Sequence, residues 1–217
     1  MAKSFRVAPF TFILFLFFIF APLFSYAEEL DNIISKLQEK YESINTIEAS
    51  FTQEAVTKGF KSSQVSEGKV YLKKPGKMRW IYTKPAKDEL VGNGKMIWVY
   101  QPDLNQVIEK RSDAASSSLA TDFLSGVGNL KKEFNISLAS EKGGSYLLGL
   151  TPREPQPNLR KVSIEIDKTS YLVTKTIVED HFGNETRVSF KNLKTNTNIK
   201  DSLFEFSIPK GANVARP

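Results

Sequence analysis

His181 is the single imidazole of the 217-residue chain, set between Glu179-Asp180 and Phe182-Gly183. A Ser-His-Asp relay needs three converging groups. A lone histidine beside a Gly183-Asn184 turn reads instead as a solvated loop residue. Gly94-Lys95 looks like the end of a phosphate-binding loop, but Glu89 stands where the first Gly belongs and Met96 follows the Lys, so the motif fails. Asp88-Glu89 and Glu179-Asp180 offer paired carboxylates for acid–base work. In extended runs, however, adjacent side chains point to opposite faces, so neither pair forms a dyad. The chain has no Cys, which removes thiol nucleophiles, disulfides and Cys-ligated zinc, and one His cannot build a metal cluster. Asn135-Ile136-Ser137 and Asn184-Glu185-Thr186 match the glycosylation triplet and read as idle. The basic segment Lys73-Lys74-Pro75-Gly76-Lys77 with Arg79 reads as a solvated turn. The net charge is +6, of which Lys3 and Arg6 supply two, and the +4 left on residues 28–217 does not argue for nucleic acid. The residues point to no enzyme, no cofactor and no metal.

What remains is apolar chemistry arranged by period. Met78, Trp80 and Tyr82 alternate with Lys77, Arg79 and Thr83. Val162, Ile164 and Ile166 alternate with Lys161, Ser163 and Glu165, and Val188 and Phe190 with Arg187 and Ser189. Met96, Trp98 and Tyr100 form a further stripe. Period two with one apolar face is the mark of half-buried antiparallel strands. Strand-like runs cover 47–54, 67–73, 78–83, 88–91, 96–100, 106–110, 134–139, 146–151, 161–167, 172–179, 186–193 and 204–208. Turn signals such as Lys74-Pro75-Gly76-Lys77, Gly92-Asn93-Gly94 and Gly143-Gly144 separate them, so hairpins are expected. The chain is therefore mainly β (α+β), one domain of about eleven or twelve strands. So many antiparallel strands must curl, close or split.

Two helical elements accompany the strands. Leu30, Ile33, Ile34, Leu37, Tyr41 and Ile44 recur at helical spacing and predict an amphipathic helix over 28–44. Glu28, Glu29 and Asp31 suit its first turn. A second helical stretch, about 112–132, interrupts the strands: Leu119, Phe123 and Leu124 lie at helical spacing, and Gly126 and Gly128 stop the run. Two short helices are little cover for so broad an apolar face, which leaves room for a cavity beneath a thin lid.

The N-terminus carries an export pattern. Lys3 and Arg6 precede the apolar run 10–20, and Ser25-Tyr26-Ala27 offers a cleavage site. The run is 11 residues, short of the ~20 that a spanning helix needs. Cleavage after Ala27 is expected, giving a periplasmic protein that starts at Glu28. No Cys follows the site to carry a lipid anchor.

Five pieces together resemble the LolA family of outer-membrane lipoprotein carriers. The segment from Gly68-Lys69-Val70-Tyr71-Leu72 through Lys74-Pro75-Gly76-Lys77-Met78-Arg79-Trp80 to Tyr82 and Pro85 looks like the family signature. Phe51-Thr52-Gln53 matches its Phe-x-Gln, and Gly94-Lys95-Met96-Ile97-Trp98-Val99-Tyr100-Gln101-Pro102 its Gly-Lys-x-x-Trp-x-Tyr-x-Pro hairpin. Phe204-Glu205-Phe206-Ser207-Ile208-Pro209-Lys210-Gly211 resembles its closing strand, and the export signal fits. The resemblance implies a strongly curved antiparallel half-barrel, with short helices as a lid over a hydrophobic cavity. It implies a monomeric carrier that takes acylated lipoproteins from the inner-membrane Lol ABC transporter and passes them to the receptor LolB, or to the outer membrane directly. The cavity would be lined by Phe51, Leu72, Met78, Trp80, Tyr82, Met96, Trp98, Ile164, Ile166 and Phe190, with Leu119, Phe123 and Leu124 on the lid. Lys74 stands where the family often has an Arg that holds the lid; Lys lacks the planar fork.

Elementary energetics fits a carrier. At ~0.8 kcal/mol per CH₂, three long acyl chains amount to roughly 30–40 kcal/mol against release into water. A host must therefore cover the chains while they travel. The rival readings are a binding or sensor module for another lipid and, less well supported by the residues, a lipid hydrolase. The LolB role itself is disfavoured because no Cys follows the signal.

Overall fold

The computed structural model describes residues 23–60, 62–112 and 129–217. Most of the expected signal peptide, and the lid residues Leu119, Phe123 and Leu124, lie outside the described residues. The elements in chain order are α1 (Leu23–Glu42), β1 (Thr46–Val56), β2 (Gln64–Lys73), β3 (Lys77–Lys84), β4 (Glu89–Asn93), β5 (Met96–Gln101), β6 (Gln106–Arg111), α2 (Leu130–Glu133), β7 (Phe134–Lys142), β8 (Ser145–Pro152), β9 (Lys161–Asp167), β10 (Val173–Glu179), β11 (Glu185–Thr195) and β12 (Asn213–Ala215).

All twelve strands form one open, curved sheet in the order β12-β6-β5-β4-β3-β2-β1-β11-β10-β9-β8-β7. Strand β1 lies near the middle. One meander runs outward from it to β6. A second starts at the far edge with β7 and returns as far as β11, which pairs with β1. Every neighbouring pair is antiparallel except β12, which lies parallel to β6.

Helix α1 covers part of the concave face. Its buried Ile33, Ile34, Leu37 and Tyr41 pack in one cluster with Ile47, Val70, Leu72, Leu148, Ile164 and Ile166. The helix extends to residue 23 at its N-terminal end and stops at Glu42, two residues before the expected end. There Ile44 N–H bonds to the Tyr41 carbonyl at 3.3 Å, tightening the last turn. The buried Tyr41 hydroxyl accepts a hydrogen bond from Val173 N–H at 3.1 Å, and burial pushes its pKa well up, so the phenol stays neutral.

The convex face is not uniformly wet. After β11 the chain crosses the outside of β1 to β6. Phe204, Ile199, Val91 and Val107 are buried there, apart from the main core. Phe206 stacks on Trp98 with ring centroids 5.8 Å apart. The basic turn fixes this strap. Lys73 and Lys77 pair with Asp201 at 2.8 and 3.1 Å, and Arg79 donates to the Leu203 carbonyl at 2.9 Å while pairing with Glu89. The expected strand over 204–208 is thus corrected: Phe204 ends a short 3-10 turn (Asp201–Phe204), and the final strand forms later, at 213–215. The expected solvated turn is corrected too, for three of its cations are engaged by the strap.

Candidate functional site

Beyond the helix, the concave sheet bounds a cavity of about 620 Å³. Strand β3 contributes Met78, Trp80 and Tyr82, β4 contributes Leu90, β5 contributes Ile97 and Val99, and β11 contributes Val188 and Phe190. Polar side chains mark its border: Gln53, Gln64, Ser66, Thr176 and Thr186, with the charged Asp88, Glu89 and Lys110. The volume falls within the about 300–1,000 Å³ usual for small-ligand sites. An aromatic cluster supports its floor: Phe51, in the core behind it, meets Trp80 and Tyr82 edge-on at 4.9 and 5.1 Å, and Trp80 lies 6.2 Å from Phe190. The Tyr82 hydroxyl is held by the Gln53 side chain at 3.0 Å, and burial together with Asp88 pushes its pKa up, so no charge arises there.

The floor depends on Gly68. Strand β2 shifts register against β3 between Glu67 and Gly68. A Cβ on Gly68 would fall 2.1 Å from the Ile81 carbonyl oxygen and 2.8 Å from the Phe51 ring. The absent side chain leaves the space that the Phe51 ring occupies.

Lys74 sits at the opposite end of the sheet, in the β2–β3 turn. Its ammonium donates to the carbonyl oxygens of Tyr41 and of Glu42, the latter at 3.2 Å. These carbonyls belong to the last turn of α1, where the helix dipole favours a cation; the Tyr41 oxygen also accepts from Ile44 N–H. Burial pushes the Lys74 pKa below its usual value, and the nearby Glu42 carboxylate opposes that shift.

The chemistry of the cavity is that of an apolar host. Among the described residues no group of three or more His, Asp or Glu could hold a metal ion. His181 bonds through Nε2 to the Gln156 carbonyl oxygen at 2.8 Å, in a loop rather than in the cavity.

Residues 42–207 match the family model described as outer membrane lipoprotein carrier protein LolA. The chain belongs to the LolA family. A curated outer-membrane lipoprotein carrier protein of Methylococcus capsulatus is 35% identical over 83% of this chain and 86% of its own length. One from Dechloromonas aromatica is 28% identical over 91% and 92%. An uncharacterized conserved protein from Thermus thermophilus shares the fold, with a TM-score of 0.57 at 15% identity over 87% of this chain and 99% of that one.

The LolA-family residues named from sequence divide into three groups. Met78, Trp80, Tyr82 and Phe190 line the cavity. Phe51, Leu72, Ile164 and Ile166 are buried core around it rather than lining. Met96 and Trp98 are corrections. The pairs Trp80 with Leu90 and Leu90 with Val99 carry the inward phase to Val99, so Trp98, opposite Val91, faces outward under the strap. The apolar lining residues missed from sequence include Leu90, Ile97, Val99 and Val188; Ile97 and Val99 were hidden by a run that is apolar at every position from 96 to 100. The signal that finds them is the tight Gly92-Asn93-Gly94 turn, which pairs Gly92 with Ile97 and fixes the phase.

Proposed function

We propose that this chain is a periplasmic carrier that shields the acyl chains of outer-membrane lipoproteins in its concave cavity. The single observation behind this reading is the apolar cavity beside Trp80, which no described helix fills. The family membership and the curated relatives' names support the choice of lipoprotein as cargo. The chain does no chemistry on its cargo. Its leader is removed after Ala27. It loads at the inner-membrane Lol ABC transporter and unloads at LolB or at the outer membrane itself. Loading draws on ATP outside this protein, and release needs a downhill acceptor.

The two tryptophans make a built-in test, because Trp80 faces the cavity and Trp98 the strap. With Trp98→Phe, the remaining Trp80 emission should shift when a long-chain lipopeptide is added and stay still with its deacylated form. With Trp80→Phe, the remaining Trp98 should be silent to both. A Trp98 response without a Trp80 response would place the ligand outside the cavity. Release of free fatty acid would favour a hydrolase.

Lys74 is proposed as a latch between the sheet and the helical cover. Its bonds to the Tyr41 and Glu42 carbonyls motivate this, and a hydrogen bond to a charged group is worth about 1.5–3 kcal/mol. Lys74→Arg should hold α1 more firmly through two parallel donors. Lys74→Leu should loosen it and, by adding apolar surface, retard release of bound chains. Loading and transfer to acceptor membranes, compared at equal folded fraction, check this. Identical behaviour of all three proteins would reduce Lys74 to a helix-capping residue.

A further inference from the structure

The large hydrophobic side chains most exposed among the described residues are Phe182 at 80%, Phe60 at 71%, Leu104 at 62% and Val65 at 50%. Following the strands shows that they share one rim of the sheet. Phe60 lies in the β1–β2 hairpin, Val65 at the start of β2, Leu104 in the β5–β6 connection and Phe182 in the β10–β11 hairpin. Lys74 and the C-terminal end of α1 lie at the other rim.

The two hairpins that carry the phenylalanines are neighbours through the β1–β11 pairing and are tied together. Lys58 N–H bonds to Asn184 Oδ1 at 3.1 Å, joining one hairpin to the other. The Asp180 carboxylate accepts from Phe182 N–H and Asn184 N–H, both at 2.9 Å, and from Asn184 Nδ2 at 2.7 Å. That carboxylate is absorbed by its own turn. Exposed Lys58, Lys84 and Lys87 lie on the same rim, Lys84 in a loose pair with Glu67 at 3.3 Å. The strand ends that carry these tips supply Ala55, Gln64, Val178 and Thr186 to the cavity lining, and the β3–β4 turn supplies Pro85 and Ala86. The apolar tips therefore border the cavity.

Exposed apolar side chains scattered singly are ordinary, but their grouping on one rim marks an interaction surface. Rings flanked by long cationic stems are the composition that settles at a headgroup boundary, the rings entering and the ammonium groups staying with the phosphates. We propose that this rim is a lipid-contacting surface, with Phe60 and Phe182 seated in the interface of an anionic bilayer beside the cavity. The inference rests on the carrier reading for its purpose: acyl chains leaving the cavity would enter lipid without crossing water.

The test is flotation with vesicles of phosphatidylethanolamine and phosphatidylglycerol, and with vesicles of phosphatidylcholine alone. Wild type should bind the anionic vesicles, less so at high salt. Phe60→Ser with Phe182→Ser should lose about tenfold or more of that binding, and Lys58→Glu should lose binding on the anionic vesicles only. Both variants change exposed positions, so unchanged melting curves are expected. Lipopeptide loading, read through Trp80, should be retained in both. Wild-type levels of vesicle binding by the double serine variant, or no vesicle binding by wild type, would overturn the proposal while leaving the carrier reading intact. So would a defect seen only when a receptor protein is present, which would assign the tips to a protein partner. Vesicle binding without any lipopeptide loading would support the rim and sink the carrier.

Discussion

Leu90→Asp should leave the empty protein folded and lower its affinity for an acylated peptide by about a hundredfold or more. Leu90 is half-buried on β4, opposite Trp80 and Val99, and lines the cavity. With the cavity empty, a carboxylate there can keep water. With an acyl chain in place it must be stripped of water without a partner. The effective penalty for such a group is several kcal/mol even after relaxation, and each 1.4 kcal/mol is tenfold in affinity. Leu90→Asn, similar in shape but neutral, should lose much less. Titration with a long-chain lipopeptide, alongside melting curves for both variants, checks this. Undiminished binding by the Asp variant would mean that acyl chains do not pass against β4.

Gly68→Ala should cost about 3 kcal/mol of stability or more, the upper end of what overpacking produces. The methyl group meets backbone first: the Ile81 carbonyl at 2.1 Å cannot rotate away as a side chain would. The Phe51 ring must turn as well, which disturbs its edge-on contacts with Trp80 and Tyr82. For a domain of this size about 2–4 °C is lost per kcal/mol, so Tm should fall by roughly 6–12 °C. The fall should bring weaker lipopeptide loading, since the cavity floor moves with Phe51. A drop of only a degree or two would show that the β2 bulge at Glu67 absorbs the methyl group by itself.

Much of this architecture was legible because local rules and global shape agree. The change from helical to alternating period at Asn45 marks the passage from α1 into β1, and the hairpin turns carry Gly, Pro and Asn where reversals need them. Sequence reading failed where an apolar residue has a second place to go. From Met96 to Tyr100 both faces are apolar, because one looks into the cavity and the other under the strap. Period alone cannot choose between the faces, and the larger side chains drew the wrong choice. The strap itself is a long-range fact: nothing local in 196–212 says that Asp201 will meet Lys73 and Lys77. Likewise the hairpin-tip phenylalanines Phe60 and Phe182 are unremarkable in sequence and become informative only when the strands place them together.

The strap also sets an order of events. Strands β3 to β6 are made early, yet their outer apolar residues Val91, Trp98 and Val107 are covered by Phe204 and Phe206, and the open edge of β6 by Asn213–Ala215. Those residues are synthesised more than 90 positions after the end of β6. A nascent or exported chain therefore carries a six-strand ribbon with a bare flank and an unpaired edge until that distant segment arrives. Unpaired edges of this kind are where chains associate wrongly. The half of the sheet that supplies most of the aromatic cavity floor is finished by residues that never touch the cavity.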